Sequence, residues 1–560
     1  MTDLESIGGI PKSPANTLRV YQLGGLGEVG RNMAIIELNG RLLVIDCGLL
    51  FPDETQPGVD LILPDFEPIR DRLSDIEAIV LTHGHEDHMG AIPYLLREAP
   101  EIPIYSSKLA LALLAPKLKE YRVNAPLITV ADREQVQIGE FNVQFLAVTH
   151  SIPDAFALII RTIGGNILHT GDFKIDPLPL DGRTTDLEMF RAAGDAGIDL
   201  LMVDSTNAEI PGFVPPERDI GVVLQRVFAA ASGRIIVASF ASHVHRIQQI
   251  IDAAVANNRM VALVGRSMVK NQTIAAELGY LKIPGGALVA ADEIDELPDN
   301  RIVIISTGSQ GEPMSALSRM ANGDHNISLG ATDTVVLASS LIPGNETSVN
   351  HLINRIIRQG AMVIHKGNAN VHVSGHAAAG ELLQLFNAVK PKFVMPVHGE
   401  RRHQVANGKL AELAGIAKAN VVLADNGDLV EVSTAGIDIV GHLDVGMVFV
   451  DGSSVGEVAE TSLKDRRILG EEGFISVFVA VDLVKGKVVA GPEVHARGFA
   501  EDDSVFADVI PQIVVAIEAA LVAGQRDERT LSQIVRRTTG KWVAAQHSRR
   551  PMIVPVVVEA

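Results

Sequence analysis

Residues 82–90 read Thr82-His83-Gly84-His85-Glu86-Asp87-His88-Met89-Gly90, which puts three histidines and one aspartate within six positions. Imidazole nitrogen and carboxylate oxygen are the donors that a hydrolytic Zn²⁺ ion takes. The apolar run just before, 78–81, has the composition of a strand. Such a strand delivers a short loop to one edge of a sheet. Side chains at 83 and 85 can then converge on one metal, while 87 and 88 turn toward a second, and Glu86 faces solvent. Four further candidates follow the same rule. Asp46, His150, Asp172 and His398 each stand where a strand-like run, 44–46, 145–149, 166–169 and 391–397, gives way to a loop. One histidine at a strand end is ordinarily a structural residue. Several strand ends that all carry ligand-type residues point instead to one rigid sheet edge that holds metal.

The elements that must position these residues form a recognisable series. Residues 17–23, 33–38 and 41–46 read as neighbouring antiparallel strands, with Asn39-Gly40 as a tight hairpin turn. Further strands are expected at 156–161, 166–169 and 200–204, and a helix at 89–96. From 211 the rhythm becomes a regular strand–helix alternation, with strands at 234–240, 260–264, 301–306 and 334–339 and helices at 243–256 and 348–359. The expected division is a first domain over 15–210, an inserted α/β domain over 211–366, the first domain resumed over 367–445, a linker over 446–469, and a small α+β domain over 470–560. In the last of these, 474–484 and 487–489 read as a hairpin, 508–523 and 528–539 as helices, and 552–558 as an apolar tail.

Composition narrows the class. The chain has 560 residues, 47% hydrophobic and 21% charged, enough for several packed domains. Its single cysteine, Cys47, excludes an internal disulfide and suits a reducing, cytoplasmic compartment; it reads as a small buried residue. Residues 1–14 lack a basic stretch followed by an apolar run, and no uncharged apolar stretch is long enough for a membrane span, so neither a secretory signal nor membrane attachment is expected. A net charge of −20 argues against non-specific duplex binding, yet leaves room for a metal-lined slot that engages a few phosphates.

The order Asp46, His83-x-His85-x-Asp87-His88, His150, Asp172 resembles the metallo-β-lactamase superfamily. Asp204 in Asp204-Ser205-Thr206-Asn207, His376 in His372-Val373-Ser374-Gly375-His376, and His398 in Pro396-Val397-His398-Gly399-Glu400 resemble the three added motifs of the β-CASP nucleases. From about residue 15 to 560 the layout is similar to the bacterial ribonuclease J family. The resemblance implies an αββα sandwich with an inserted β-CASP α/β domain and a small α+β C-terminal domain. It assigns His83, His85 and His150 to one zinc, Asp87, His88 and His398 to a second, and Asp172 to both, with Mn²⁺ an acceptable substitute. Asp46 would orient a ligating histidine from behind.

The expected reaction is hydrolysis of an RNA phosphodiester by metal-activated water, giving 5′-phosphate and 3′-hydroxyl ends. His376 is the expected proton donor to the leaving 3′-oxygen, with Asp204 orienting it. The loop 372–376 (His372, Val373, Ser374, Gly375, His376) precedes a helix, and 239–246, which holds Ser242, His243 and His245, has the same strand–turn–helix design. Together they are expected to clamp a 5′-monophosphate end of single-stranded RNA for 5′-to-3′ exonucleolysis, alongside endonuclease activity in RNA processing and decay. Two other readings keep the same metals: a hydrolase of a small thioester or lactam, and a weakly active scaffold in an RNA-processing assembly.

Weaker signals complete the reading. Gly24-Gly25-Leu26-Gly27-Glu28-Val29-Gly30 looks like a dinucleotide loop, but a strand rather than a helix follows it, so it reads as a turn bordering the metal cleft. The loop 307–312 is expected to line the RNA path, and the resemblance faintly suggests a structural cation at Asp60 and Asp451. A homodimer or homotetramer, with partner proteins of RNA decay, is implied by the resemblance alone.

Overall fold

The computed structural model describes residues 10–340, 345–433, 436–500 and 502–560. The chain divides into two compact units, residues 1–51 with 61–448, and residues 52–60 with 449–560.

The first unit is built on two stacked sheets. One runs in the order Ile437–His442, Asp428–Val432, Leu18–Gly24, Met33–Leu38, Arg41–Ile45, Ile76–Val80, Ile104–Ser106, Leu127–Thr129. The other runs Phe393–Val397, Leu200–Asp204, Gly165–His169, Phe156–Thr162, Phe141–Ala147, Gln135–Ile138. Period-two alternation explains the layers. In Phe156–Thr162, Leu158 and Ile160 point into the core between the sheets, with Val20, Ile36, Leu43 and Val80 opposite. Ala157 and Ile159 point the other way, onto the helices Leu187–Ala196, Ala379–Val389 and Arg401–Leu413. Burial on both faces accounts for the near-continuous apolar runs in these strands. Asn39 and Gly40, both at positive φ (51° and 82°), close the hairpin between Met33–Leu38 and Arg41–Ile45, as the Asn-Gly pair predicts.

The inserted sheet is wholly parallel, in the order Met260–Val264, Ile302–Ser306, Ile235–Ala238, Thr334–Leu337, Met362–Ile364. In its central strand Ile235 and Val237 join the core under the helices Arg218–Ala230 and Val244–Ala256. Ile236 and Ala238 join the core on the opposite face, with Ala316–Asn322 and Glu346–Arg358.

Several local expectations change. The helix read at 89–96 is two single turns, Glu86–Met89 and Ile92–Leu95. The Ala91 N–H leaves the helical ladder for the Cys47 carbonyl at 2.9 Å, and Pro93, which has no N–H to give, opens the second turn. The stretch 446–469 is not a bare connector: it carries the strands Met447–Asp451 and Ser454–Val455 and the helix Glu460–Glu471. Its mixed composition reflects half-exposed elements, whose polar outer faces mimic linker sequence.

The second unit centres on a three-stranded sheet, Lys487–Arg497, Phe474–Asp482 and Met552–Glu559, under the helices Ile510–Val522 and Glu528–His547. The apolar tail is therefore a strand, parallel to Phe474–Asp482. Lys487–Arg497 runs well beyond the expected hairpin arm because its alternation continues through Val494 and Ala496, both buried. Among the described residues no helix is long and apolar enough to cross a membrane.

Candidate metal centre

The strands Arg41–Ile45, Ile76–Val80, Gly165–His169, Leu200–Asp204 and Phe393–Val397 each end at one edge of the sandwich. Asp46, at φ 59°, leaves its strand in the left-handed region. Its carboxylate accepts from Thr82 N (2.7 Å), Thr82 Oγ1 (2.9 Å) and His88 Nδ1 (2.7 Å). Three bonds from one buried carboxylate therefore fix the start and the end of the histidine-rich loop.

The expected ligands meet in two groups. His83, His85, His150 and Asp172 form one, and Asp87, His88, His398 and Asp172 the other, with the candidate ligand atoms of each group within 4.8 Å of one another. Asp172 is common to both. Its Oδ2 lies 3.2 Å from His88 Nε2 and 3.7 Å from both His83 Nε2 and His150 Nε2. His398 Nε2 lies 3.2 Å from Asp87 Oδ2.

The far ring nitrogens are already occupied. His88 Nδ1 donates to Asp46, and His150 Nδ1 to the Gly375 carbonyl at 2.8 Å. The single Thr82 hydroxyl proton goes to Asp46, so Thr82 Oγ1 accepts from His83 Nδ1 at 3.0 Å. Each of these rings thus turns its Nε2 toward Asp172. His83 Nε2 and His150 Nε2 lie 3.0 and 3.1 Å from His85 Nδ1, too many lone pairs in one place for one proton to satisfy. Asp172 Oδ1 is buried with no hydrogen-bond partner. Bound metal is what this donor set fits.

Protonation divides the two groups. Burial pushes His83 and His150 down, and His85 down to about 4, so these imidazoles are neutral and ready to ligate. Burial also opposes charge on His88 and His398, but Asp172, with Asp87 and Asp46 or Asp204, outweighs it; His88 is raised and His398 is raised to about 10. In the metal-free protein these two rings hold protons at neutral pH. Loading Zn²⁺ at pH 7 is therefore expected to release about two protons per chain, with affinity that strengthens as pH rises. Indicator dye in weakly buffered solution measures this, and zinc uptake without acidification refutes it.

Gly48 shows how tightly the loop is seated. A Cβ there would lie 1.6 Å from the Asp87 carbonyl oxygen and 2.6 Å from His88 N. Gly48→Ala is expected to cost about 3 kcal/mol and to lower metal retention, because two ligand-bearing residues must shift. Thermal denaturation and metal content check both halves.

Beside the second group, His376 Nδ1 lies 2.8 Å from Asp204 Oδ2. Burial opposes charge on His376, but Asp204 and then Asp172 overcome it and raise its pKa. Asp204 is held well below the usual carboxylate range: burial opposes this, and His376 outweighs it. With Nδ1 engaged, Nε2 is the nitrogen free to exchange a proton with a ligand.

The two substrate loops meet only in part. His372 and His243 approach to 6.1 Å between ring centroids, and His372 Nε2 lies 3.2 Å from Ser340 Oγ. Val373 is buried, and Ser374 Oγ accepts from His376 N at 3.3 Å. Ser242 lies half-buried in the turn before the helix Val244–Ala256. His245 departs from expectation. Two residues beyond His243, it faces Asp181 at 3.6 Å and lines a cavity on the far side of His150 with Asp154, Lys174 and Glu217. His243 caps the helix Val244–Ala256 with non-helical backbone (ψ 65°), while His245 lies within its first turn, so the two rings leave the chain in different directions. Asp60 and Asp451 also depart from the expected cation site. Asp60 accepts from Gly452 N and Asp451 is ion-paired with Arg466, so each carboxylate already has a partner.

Smaller expectations find their places. Glu86 is half-exposed and pairs with Lys117, and Cys47 is fully buried. The glycine turn is followed by a strand, and Leu26 and Glu28 bridge to Gly399, next to His398. In the loop after Ile302–Ser306, Gln310 Nε2 donates to the Ser340 carbonyl, linking it to the residue that touches His372. Sequence reading passed over several supports. Asn32 Nδ2 donates to the Asp87 carbonyl at 3.0 Å. His169 Nδ1, in a ring that burial lowers to about 4, accepts from Gly171 N and shapes the turn before Asp172. Arg246, fully buried, joins Glu217 to the Val371 carbonyl and so anchors the 372–376 loop to the insertion. Only His169 had a signal, its position at a strand end three residues before an expected ligand.

Comparison with known proteins meets this geometry from outside. Family profiles match the metallo-beta-lactamase superfamily at residues 26–207, the ribonuclease J beta-CASP domain at 232–356, the Zn-dependent metallo-hydrolase RNA specificity domain at 361–422, and the ribonuclease J C-terminal domain at 461–560. Ribonuclease J of Mycobacterium tuberculosis is 50% identical over 543 residues, 97% of each chain. That of Mycolicibacterium smegmatis is 49% identical over 550 residues, 98% of each. A crystal structure of a protein of unknown function from Enterococcus faecalis shares the fold at 16% identity, with a TM-score of 0.54 over 74% of this chain and all of that one. Identity at this level along nearly the whole length, with each domain matched in order, places the chain in the ribonuclease J family, metal-dependent ribonucleases that combine a metallo-β-lactamase domain, a β-CASP insertion and a C-terminal domain.

Proposed function

We propose that the protein is a zinc-dependent ribonuclease that degrades single-stranded RNA from 5′-monophosphate ends in the 5′-to-3′ direction and also cuts internally, in RNA processing and decay. The observation that carries this reading is the pair of His/Asp groups joined at Asp172, with the His376–Asp204 pair 2.8 Å apart beside them. His83, His85 and His150 would hold one Zn²⁺, Asp87, His88 and His398 the other, and Asp172 both; Mn²⁺ suits the same donors. When bound, the two ions acidify water and neutralise charge on a phosphodiester. The chain's own residues do the rest. Asp46 and Thr82 hold the Nδ1 atoms of His88 and His83 and so aim each Nε2 as the ligating nitrogen. Asp204 keeps His376 charged and turned, so that its Nε2–H can protonate the leaving 3′-oxygen. Since no 2′-hydroxyl takes part, the products are a 5′-phosphate and a 3′-hydroxyl. Ser242, His243, His372 and Ser374 would hold the terminal phosphate. A homodimer or homotetramer in the cytoplasm, with partner proteins of RNA decay, belongs to the same proposal.

The test is incubation with 5′-monophosphorylated single-stranded RNA. Mononucleotides should be released, cease with chelator, and return with Zn²⁺ or Mn²⁺. Ser242→Ala with Ser374→Ala should weaken cleavage of the 5′-phosphorylated substrate selectively; equal loss on 5′-hydroxyl RNA counts against the clamp. Intact RNA alongside hydrolysis of a thioester would overturn the whole reading.

A further inference from the structure

Four histidines of the centre turn one nitrogen toward the carboxylates, and three have the other nitrogen tied down by Asp46, Thr82 and Gly375. The fourth, His398, ends its strand at φ 50°, a strained position for a side-chain-bearing residue. Its support comes from a different strand end. Thr206 Oγ1 lies 2.7 Å from His398 Nδ1 and 3.0 Å from the His398 carbonyl oxygen. A carbonyl can only accept, so the single hydroxyl proton goes there and Nδ1 must donate to Oγ1. The ring is thereby fixed with a proton on Nδ1 and with Nε2, the nitrogen left for a metal, facing Asp87 3.2 Å away.

Thr206 also belongs to the turn of the expected proton donor. Its backbone N–H donates to Asp204 Oδ1 at 3.0 Å, while Asp204 Oδ2 faces His376. We propose that Thr206 is a positioning residue for the second metal, its hydroxyl setting the tautomer and aim of His398, and that it ties that ligand to the Asp204–His376 pair through one turn. This inference rests on the two-metal reading above. Without the hydroxyl, Nδ1–H has two other acceptors, Asp204 Oδ1 at 3.5 Å and Asp172 Oδ1 at 3.7 Å. Turning toward either draws Nε2 away from Asp87 and spends a carboxylate that the metal or the acid needs.

Thr206→Val keeps the side-chain shape and the backbone bond to Asp204 and removes only the hydroxyl; Thr206→Ser restores it. The full-length proteins are equilibrated with Zn²⁺ against graded chelator, and retained zinc per chain is counted by atomic emission. Melting temperature of each metal-free protein is measured in parallel. Thr206→Val is expected to hold its second zinc about 10- to 100-fold more weakly, with the first unchanged, and Thr206→Ser to return close to the parent. Metal-free Thr206→Val should melt no more than about a few degrees lower, for the lost bond to the His398 carbonyl, and Thr206→Ser should melt with the parent. Parent-like affinity in Thr206→Val, failure of Thr206→Ser to rescue, or a larger drop in metal-free melting temperature that tracks the affinity loss would each overturn the assignment. A parent protein that retains fewer than two zinc ions defeats the two-metal reading itself, a result visible before any variant is compared.

Discussion

Asp172→Asn is expected to lower RNA hydrolysis by on the order of 10³-fold, because the one residue shared by both ligand groups loses its charge at the point where charge must be neutralised. The amide keeps the size of the carboxylate, so the fold should survive. Asp172 is buried among His83, His88, His150 and His398 and is the one carboxylate that both candidate ligand groups share. Losing it should therefore reduce metal content as well as rate. Atomic emission and initial rates on 5′-monophosphorylated RNA are the two measurements. Parent-like rates with both ions retained would remove Asp172 from the centre. A folded protein with reduced metal and no activity is the expected outcome.

The second large effect concerns the proton donor. His376→Ala is expected to reduce kcat by roughly 10²- to 10³-fold with metal content unchanged, the range for loss of a positioned general acid. Asp204→Asn adds a signature in pH. An acid must be protonated to act, so activity falls as pH rises through its pKa. Asp204 raises that pKa in His376 against the effect of burial. Removing the charge lowers the pKa, so the alkaline limb of the pH–rate profile should move toward lower pH in Asp204→Asn. An unmoved limb would mean that another group delivers the proton. A large fall in retained metal in His376→Ala would show that the ring serves the metals instead.

The seven candidate ligand positions could be proposed because His150, Asp172 and His398 each follow a strand-like run and the other four share the one loop after 78–81, and strand ends converge when the strands share an edge. Period-two and strand–helix patterns placed the two sheets of the sandwich and the parallel insertion for the same reason: side-chain alternation is local. The errors lie where local pattern carries less. An expected helix is two turns, parted where the Ala91 N–H goes to the Cys47 carbonyl. Residues 446–469 read as a connector because half-exposed strands and a helix with a polar outer face resemble loop composition. His245 shares a motif with His243 yet faces Asp181, since His243 caps the helix from outside and His245 lies within its first turn.

By itself the sequence determined which residues can bind metal, the order in which strands bring them to the edge, and the family resemblance those motifs carry. Only the tertiary structure decided the supports: that Asp46 binds Thr82 and His88 together, that Gly375 holds His150, that Arg246 anchors the 372–376 loop, and that Thr206 holds His398. The physical reason is range. Ligand chemistry and alternation are properties of a residue and its near neighbours, whereas a hydrogen bond between residues 206 and 398 exists only once two distant strands lie side by side in one sheet.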